Sequence, residues 1–130
     1  MPARGRPLSP HLQVYRWQIG NTLSVLHRFT GLLLSLGLLA LVYWLVALAG
    51  GAGGYAAALG LFAGPLGLSA LCGAAFAFFF HLLNGVRHLL WDVGYGFERR
   101  TRHASGWLAA GGAVALTALV GTLVWHRLHS

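Results

Sequence analysis

The stretch from residue 29 to residue 86, FTGLLLSLGLLALVYWLVALAGGAGGYAAALGLFAGPLGLSALCGAAFAFFFHLLNGV, contains no Asp, Glu, Lys or Arg. One membrane crossing needs about 20 apolar residues, so this stretch is too long for a single span. Its middle, residues 49–67, is rich in Gly and Ala and has Pro65 near its end. It therefore reads as two spans with a short connection. A third apolar run extends from Trp107 to Trp125. The sequence predicts an all-α integral membrane protein with three transmembrane helices, at about residues 22–49, 65–95 and 105–127. A single domain over residues 1–130 accommodates them, with residues 1–21 as an N-terminal arm.

Composition supports this class. The chain is 57% hydrophobic and only 8% charged, against about 25% charged in a soluble domain. The net charge of +7 comes from nine arginines and two acids. Arg4, Arg6, Arg16 and Arg28 precede or open the first span. Arg87, Arg99, Arg100 and Arg102 close the second span or follow it, and only Arg127 follows the third. That alternation obeys the positive-inside rule, placing the N-terminus and the second connection on the cytoplasmic side. It points to membrane lipid rather than nucleic acid as the partner of the charge. Cys72 is the one cysteine, so no disulfide forms within the chain. No cleavable signal peptide is expected, and the first residues are too few for a mitochondrial transit peptide.

Pro2, Pro7 and Pro10 prevent a long helix in the arm, while Tyr15 and Trp17 suit the headgroup layer. Asn21 or Thr22 is the expected cap of the first helix. The third helix holds Ala109, Gly112, Ala113 and Gly121, small residues that admit close helix packing. Gly31 with Ser35, and Gly73 with Ala77, repeat that spacing in the other two spans and fit either a helix or a flat cofactor.

The chemistry concentrates in residues 81–92, HLLNGVRHLLWD. An Arg or Asp in lipid costs about 2.5–3.5 kcal/mol on translocon scales, so such groups mark function. His81 lies well inside the span, after Phe76, Phe78, Phe79 and Phe80. A neutral imidazole there can ligate haem iron or hydrogen-bond another helix. His88 is seven residues on and about 10 Å along the axis, on nearly the same face. It is too far to share one iron, yet placed to meet the edge of a macrocycle. Arg87 and His88 either meet anionic propionates or anchor the helix at the interface. Gly85 between them allows a close approach. Ser24, His27 and Arg28 share a face of the first helix at i, i+3 and i+4. A hydroxyl and a guanidinium so placed suit the carbonyl oxygens of a quinone, or a lipid phosphate. Asp92 and Glu98 are the only acids; Asp92 is expected to pair with an arginine or cap local structure. No hydrolytic pair, phosphate loop or zinc spacing is present.

Three blocks carry a resemblance: RPLSPHLQVY at residues 6–15, SVLHRFTG at residues 24–31, and the run at residues 81–92. Their order and the three-span layout resemble the cytochrome b556 subunits of succinate dehydrogenase, the larger membrane anchors of respiratory complex II. The resemblance implies half of a haem-binding helical bundle. It makes His81 an axial ligand of a b-type haem shared with a second small anchor subunit, which supplies the other histidine. Ser24 and Arg28 would line the ubiquinone site, and His27, Arg87 and His88 would lie near the haem propionates. The flavoprotein and iron–sulfur subunits would carry the catalytic flavin and clusters, and no catalytic residue falls in this chain. The expected place is the inner (cytoplasmic) membrane of a bacterium. Two other readings stay open: a fumarate reductase anchor, and a haem-free structural or proton-relay subunit.

Overall fold

In lipid every backbone N–H and C=O must be satisfied within the protein, which leaves helices as the economical form for apolar runs. The computed structural model describes residues 19–130, and they fold accordingly. Helix α1 is Ile19–Ala49, α2 is Ala52–Ala63, α3 is Pro65–Asp92 and α4 is Arg99–His129. Three of them, α1, α3 and α4, are long and apolar enough to cross a membrane. The expected arm at residues 1–21 lies almost wholly outside the described residues.

The boundaries depart from the sequence reading in ways that have physical causes. Asn21 and Thr22 lie inside α1 rather than capping it. The Gly/Ala-rich connection is itself helical over α2. Glycine is a poor helix former in water, but an apolar segment held against lipid cannot leave its backbone unpaired. Glycine also lets α2 fold back on α1, since a Cβ at Gly54 would stand 2.6 Å from the Ala47 carbonyl oxygen. Pro65 opens α3 at its first turn, where its missing N–H has no intrahelical partner to lose. At the other end α3 stops at Asp92, short of residue 95. Gly94, at φ 92°, turns the chain. The Tyr95 N–H then bonds the Leu90 carbonyl at 2.9 Å and the Gly94 N–H bonds that of Trp91 at 2.8 Å. This is the Schellman closure that a left-handed glycine permits. Helix α4 begins at Arg99, not near residue 105, and so takes in Arg99, Arg100 and Arg102. Charge ends a span, not a helix: 31 residues rise about 46 Å, well beyond a hydrocarbon layer of about 30 Å.

Helix α3 is the centre of the bundle, packing most extensively on α4 and next on α1. Its core is Leu23, Phe80 and Ala113, flanked by Leu26, Phe76, Leu83 and Ala110. The expected small face of α4 is used: Ala109 and Ala113 are buried, and a Cβ at Gly112 would come within 3.0 Å of Leu83. Gly121 lies outside that contact, with open space around it. Most large aliphatic side chains of the three long helices point outward, which lipid tolerates and water does not.

Arg87 fastens α3 to α4. It is buried, and its guanidinium is divided among neutral acceptors. Nε donates to Ser105 Oγ at 2.9 Å, Nη1 to Asn84 Oδ1 at 3.0 Å and Nη2 to the Arg102 carbonyl at 3.0 Å. The Trp91 ring lies under the cation, 4.2 Å from the guanidinium carbon, a favourable placement for the ring's negative face. Leu23 and Arg87 also crowd Gly106, where a Cβ would meet Leu23 at 2.5 Å. Substituting Arg87→Met keeps the stem and deletes the fork. The α3–α4 contact is then expected to weaken by about 2 kcal/mol. A lower thermal midpoint of the purified membrane assembly reports this, with Arg87→Lys failing to restore it because an ammonium lacks the planar fork.

Candidate functional site

The run at residues 81–92 sits where α3 meets α1, and the structure divides it between two neighbours. His81, Gly85 and His88 lie on one stripe at i, i+4 and i+7. Phe80, Asn84 and Arg87 lie on a second stripe with the same spacing, rotated by about 100°. The second stripe is buried against α4, as described for Arg87 and Asn84. The first faces α1 and gathers the imidazoles.

His81 is held at an edge and on a face. Its Nδ1 lies 3.1 Å from the His27 carbonyl oxygen and 3.3 Å from Thr30 Oγ1. A carbonyl only accepts, so Nδ1 carries the proton and donates. Thr30 is buried at 1% exposure, and its hydroxyl donates to the same His27 carbonyl at 2.9 Å. The tautomer that follows leaves the His81 Nε2 lone pair unprotonated. The His27 ring stacks on the His81 ring with centroids 3.9 Å apart and planes 10° apart. Gly31 closes the other side: a Cβ there would stand 3.0 Å from His81 Cε1.

His27 is the middle member of a column of three imidazoles. Its other neighbour is His88, at 5.3 Å between centroids and tilted by 43°. His88 in turn meets Trp91 edge-on at 4.9 Å. His27 Nδ1 is buried and makes no hydrogen bond among the described residues. Gly85 is not required for this approach: a Cβ there would make only an ordinary contact with His27 Cε1, at 3.9 Å.

The structure therefore brings His27, His81 and His88 together, with Arg87 next to His88 in sequence but directed to α4. Ser24 is half-buried and Arg28 exposed, on the part of α1 that carries His27. Among the described residues neither makes a hydrogen bond or ion pair, so their polar atoms are open to a ligand or another chain. Asp92 closes α3, and among the described residues it pairs with no arginine; the fork of Arg87 is filled by neutral acceptors. Glu98 stands at the start of α4 and makes no side-chain cap bond. Farther along the α1–α3 seam, α2 leaves an apolar groove of about 720 Å³ between Leu36, Trp44, Tyr55, Leu59 and Gly73. Ala77, by contrast, is fully buried by packing.

Two residues belong to the site without having been singled out by the sequence. Thr30 stands three residues after His27, a spacing that places its hydroxyl at the His27 carbonyl. Asn84 stands three residues before Arg87 and supplies one of its acceptors. Both signals were present as i, i+3 polar pairs inside apolar helices.

Known sequences resemble this chain over most of its length. The profile of the succinate dehydrogenase/fumarate reductase transmembrane subunit family matches residues 2–120. The succinate dehydrogenase cytochrome b556 subunit of Rickettsia conorii is 42% identical over 115 residues, covering 88% of this chain and 90% of the relative. That of Paracoccus denitrificans is 41% identical over 114 residues, covering 88% of each. The cytochrome b560 subunit of Reclinomonas americana is 37% identical over 117 residues, covering 86% of this chain and 81% of its own. With its three long apolar helices and this extent of similarity, the chain belongs to the succinate dehydrogenase/fumarate reductase transmembrane subunit family.

Proposed function

We propose that this chain is the membrane anchor of a succinate:quinone oxidoreductase, binding b-type haem through His81 and ubiquinone beside Ser24 and Arg28. The observation that carries the haem reading is the hydrogen bond from His81 Nδ1 to the His27 carbonyl, 3.1 Å long. It commits one nitrogen to the protein and leaves the other, Nε2, as a neutral donor of the kind that holds haem iron. When bound, haem b supplies a one-electron carrier. His27 fits the same group: its buried Nδ1, unpartnered among the described residues, is a polar atom that an anionic propionate would satisfy. His88 lies against His27 and would share that edge. Arg87 contributes at longer range, as a fixed positive charge whose fork is already engaged.

A six-coordinate b-type haem would need a second axial histidine, and a second small anchor subunit would supply it. The names of the relatives above support this direction, since each is a cytochrome b subunit of succinate dehydrogenase. Iron–sulfur and flavoprotein subunits would complete the assembly and deliver electrons from succinate.

For the quinone, the side chains of Ser24 and Arg28 are open donors on one face of α1, near the arginine-bearing end of the bundle. They would hold a ring carbonyl by hydrogen bonds and steady the negative charge that develops as the ring is reduced. The positive-inside pattern puts this end on the cytoplasmic side of a bacterial inner membrane, where protons for quinol formation are drawn from water.

Two measurements test the reading in the assembled complex. Replacing His81→Leu is expected to abolish the b-type absorption bands of the dithionite-reduced protein, and an unchanged spectrum would remove His81 as ligand. For Arg28→Leu, ubiquinone reduction is expected to fall about 10- to 100-fold, the loss of one or two charge-assisted hydrogen bonds. Succinate oxidation by an artificial dye should hold steady, because that electron path leaves before the membrane. Normal ubiquinone reduction by this variant would exclude Arg28 from the site.

A further inference from the structure

We propose that residues 27–31 form a seat for His81, made by the His27 carbonyl, the Thr30 hydroxyl and the absent side chain of Gly31, and that this seat sets the tautomer and ligand strength of His81. The inference rests on the reading of His81 as the iron ligand.

A carbonyl inside a helix already accepts the N–H four residues on. The side chain of that fourth residue usually stands beside it and hides it from neighbouring helices. Here the fourth residue after His27 is Gly31, so the carbonyl is open on the side that faces α3. The His81 ring fills the opening. A Cβ at residue 31 would lie 3.0 Å from Cε1, 3.6 Å from Nδ1 and 3.9 Å from Nε2. The edge between the two nitrogens thus rests on the glycine itself. Any larger residue drives the ring away from the carbonyl it donates to.

Thr30 sharpens the same bond. Its hydroxyl proton goes to the His27 carbonyl at 2.9 Å, so an oxygen lone pair is free toward Nδ1, 3.3 Å away. The Nδ1–H is therefore shared between two oxygens, both fixed by α1. The stacked His27 ring restrains the face of the imidazole at 3.9 Å. One short block of α1 thereby restricts His81 in tilt, rotation and protonation site. A donor bond from the distal nitrogen makes the ligating nitrogen more basic and favours ferric over ferrous iron. Thr30 and Gly31 are thus positioning residues, acting through His81 and not touching the iron.

The test uses the whole assembled complex with its partner subunits. Gly31→Ala is the main variant, because alanine favours helix more than glycine does and α1 itself is not weakened. Haem affinity, measured by competition with a haem-scavenging apoprotein, is expected to fall about 10- to 100-fold. The haem midpoint potential should rise. Thr30→Val should move both readouts in the same direction, and Thr30→Ser should retain the values of the unaltered protein. Gly37→Ala makes the same change in the same helix where a Cβ meets nothing within 4 Å, and should leave both readouts in place. Unaltered affinity and potential in Gly31→Ala and Thr30→Val, with the spectrum lost in His81→Leu, would overturn the seat and keep the ligand. Equal losses in Gly31→Ala and Gly37→Ala would overturn it too, since the effect would then belong to any added methyl. A b-type spectrum that survives His81→Leu would overturn the ligand reading and the seat together.

Discussion

The hydrogen bond from His81 to the backbone of α1 is the constraint on which this site depends. In water such a bond competes with solvent and contributes little. Within a membrane the alternatives are few, because an imidazole N–H facing lipid has no other acceptor. The bond therefore fixes more than one histidine. It sets the distance and rotation of α3 against α1 at the level of residues 27–31, and it brings the His27 ring over His81. Once those two rings are stacked, His88 has one place left, against the other side of His27. The imidazole column follows from one donor finding one exposed carbonyl.

Arg87 answers the same problem on the opposite side of α3. Among the described residues it has no carboxylate partner, and its charge is spread over a serine hydroxyl, an asparagine amide oxygen, a backbone carbonyl and an aromatic face. Neutral acceptors satisfy the guanidinium hydrogens without bringing a second ion into the bundle. The arrangement also explains the two-stripe division of residues 81–92. One stripe fastens α3 to α4 and makes it rigid. The other is thereby free to carry groups whose orientation matters, because the helix behind them is tied to α4.

Three spans and the grouping of polar residues were legible because hydropathy and charge are properties of composition and spacing. The long uncharged stretch admits little else, and the i, i+3, i+4 pattern of Ser24, His27 and Arg28 needs no structure to recognise. What was not legible depends on which neighbour a residue faces. Arg87 and His88 are adjacent in sequence and read alike, as propionate partners or interfacial anchors, yet one turns to α4 and the other to α1. Residues 49–67 read as a connection because glycine signals breaks in water, and they form α2 because the segment lies against apolar helices. Asp92 read as a partner for arginine or a local cap, and among the described residues the fork of Arg87 is taken by neutral oxygens instead. Gly31 fitted two roles, close helix packing or a flat cofactor, and it serves neither alone: it is where an imidazole edge rests.

A site built this way is incomplete by construction, and that has a consequence for assembly. His81 is held on one face by His27 and at one edge by α1, so its remaining nitrogen is the only part of the ring free to bind. As the proposed haem ligand, His81 would supply one donor, and the other would come from another chain. The outward aliphatic surfaces of α1, α3 and α4 are suited to lipid and equally to other apolar helices, so packing alone does not choose a partner. In the proposed complex the choice falls to polar atoms without a partner among the described residues, such as the Nε2 of His81, the Nδ1 of His27, and the side chains of Ser24 and Arg28. Each is satisfied only when its counterpart arrives. Haem, quinone and partner subunit would then stabilise one another's binding, and the fully satisfied assembly is favoured over any of its parts.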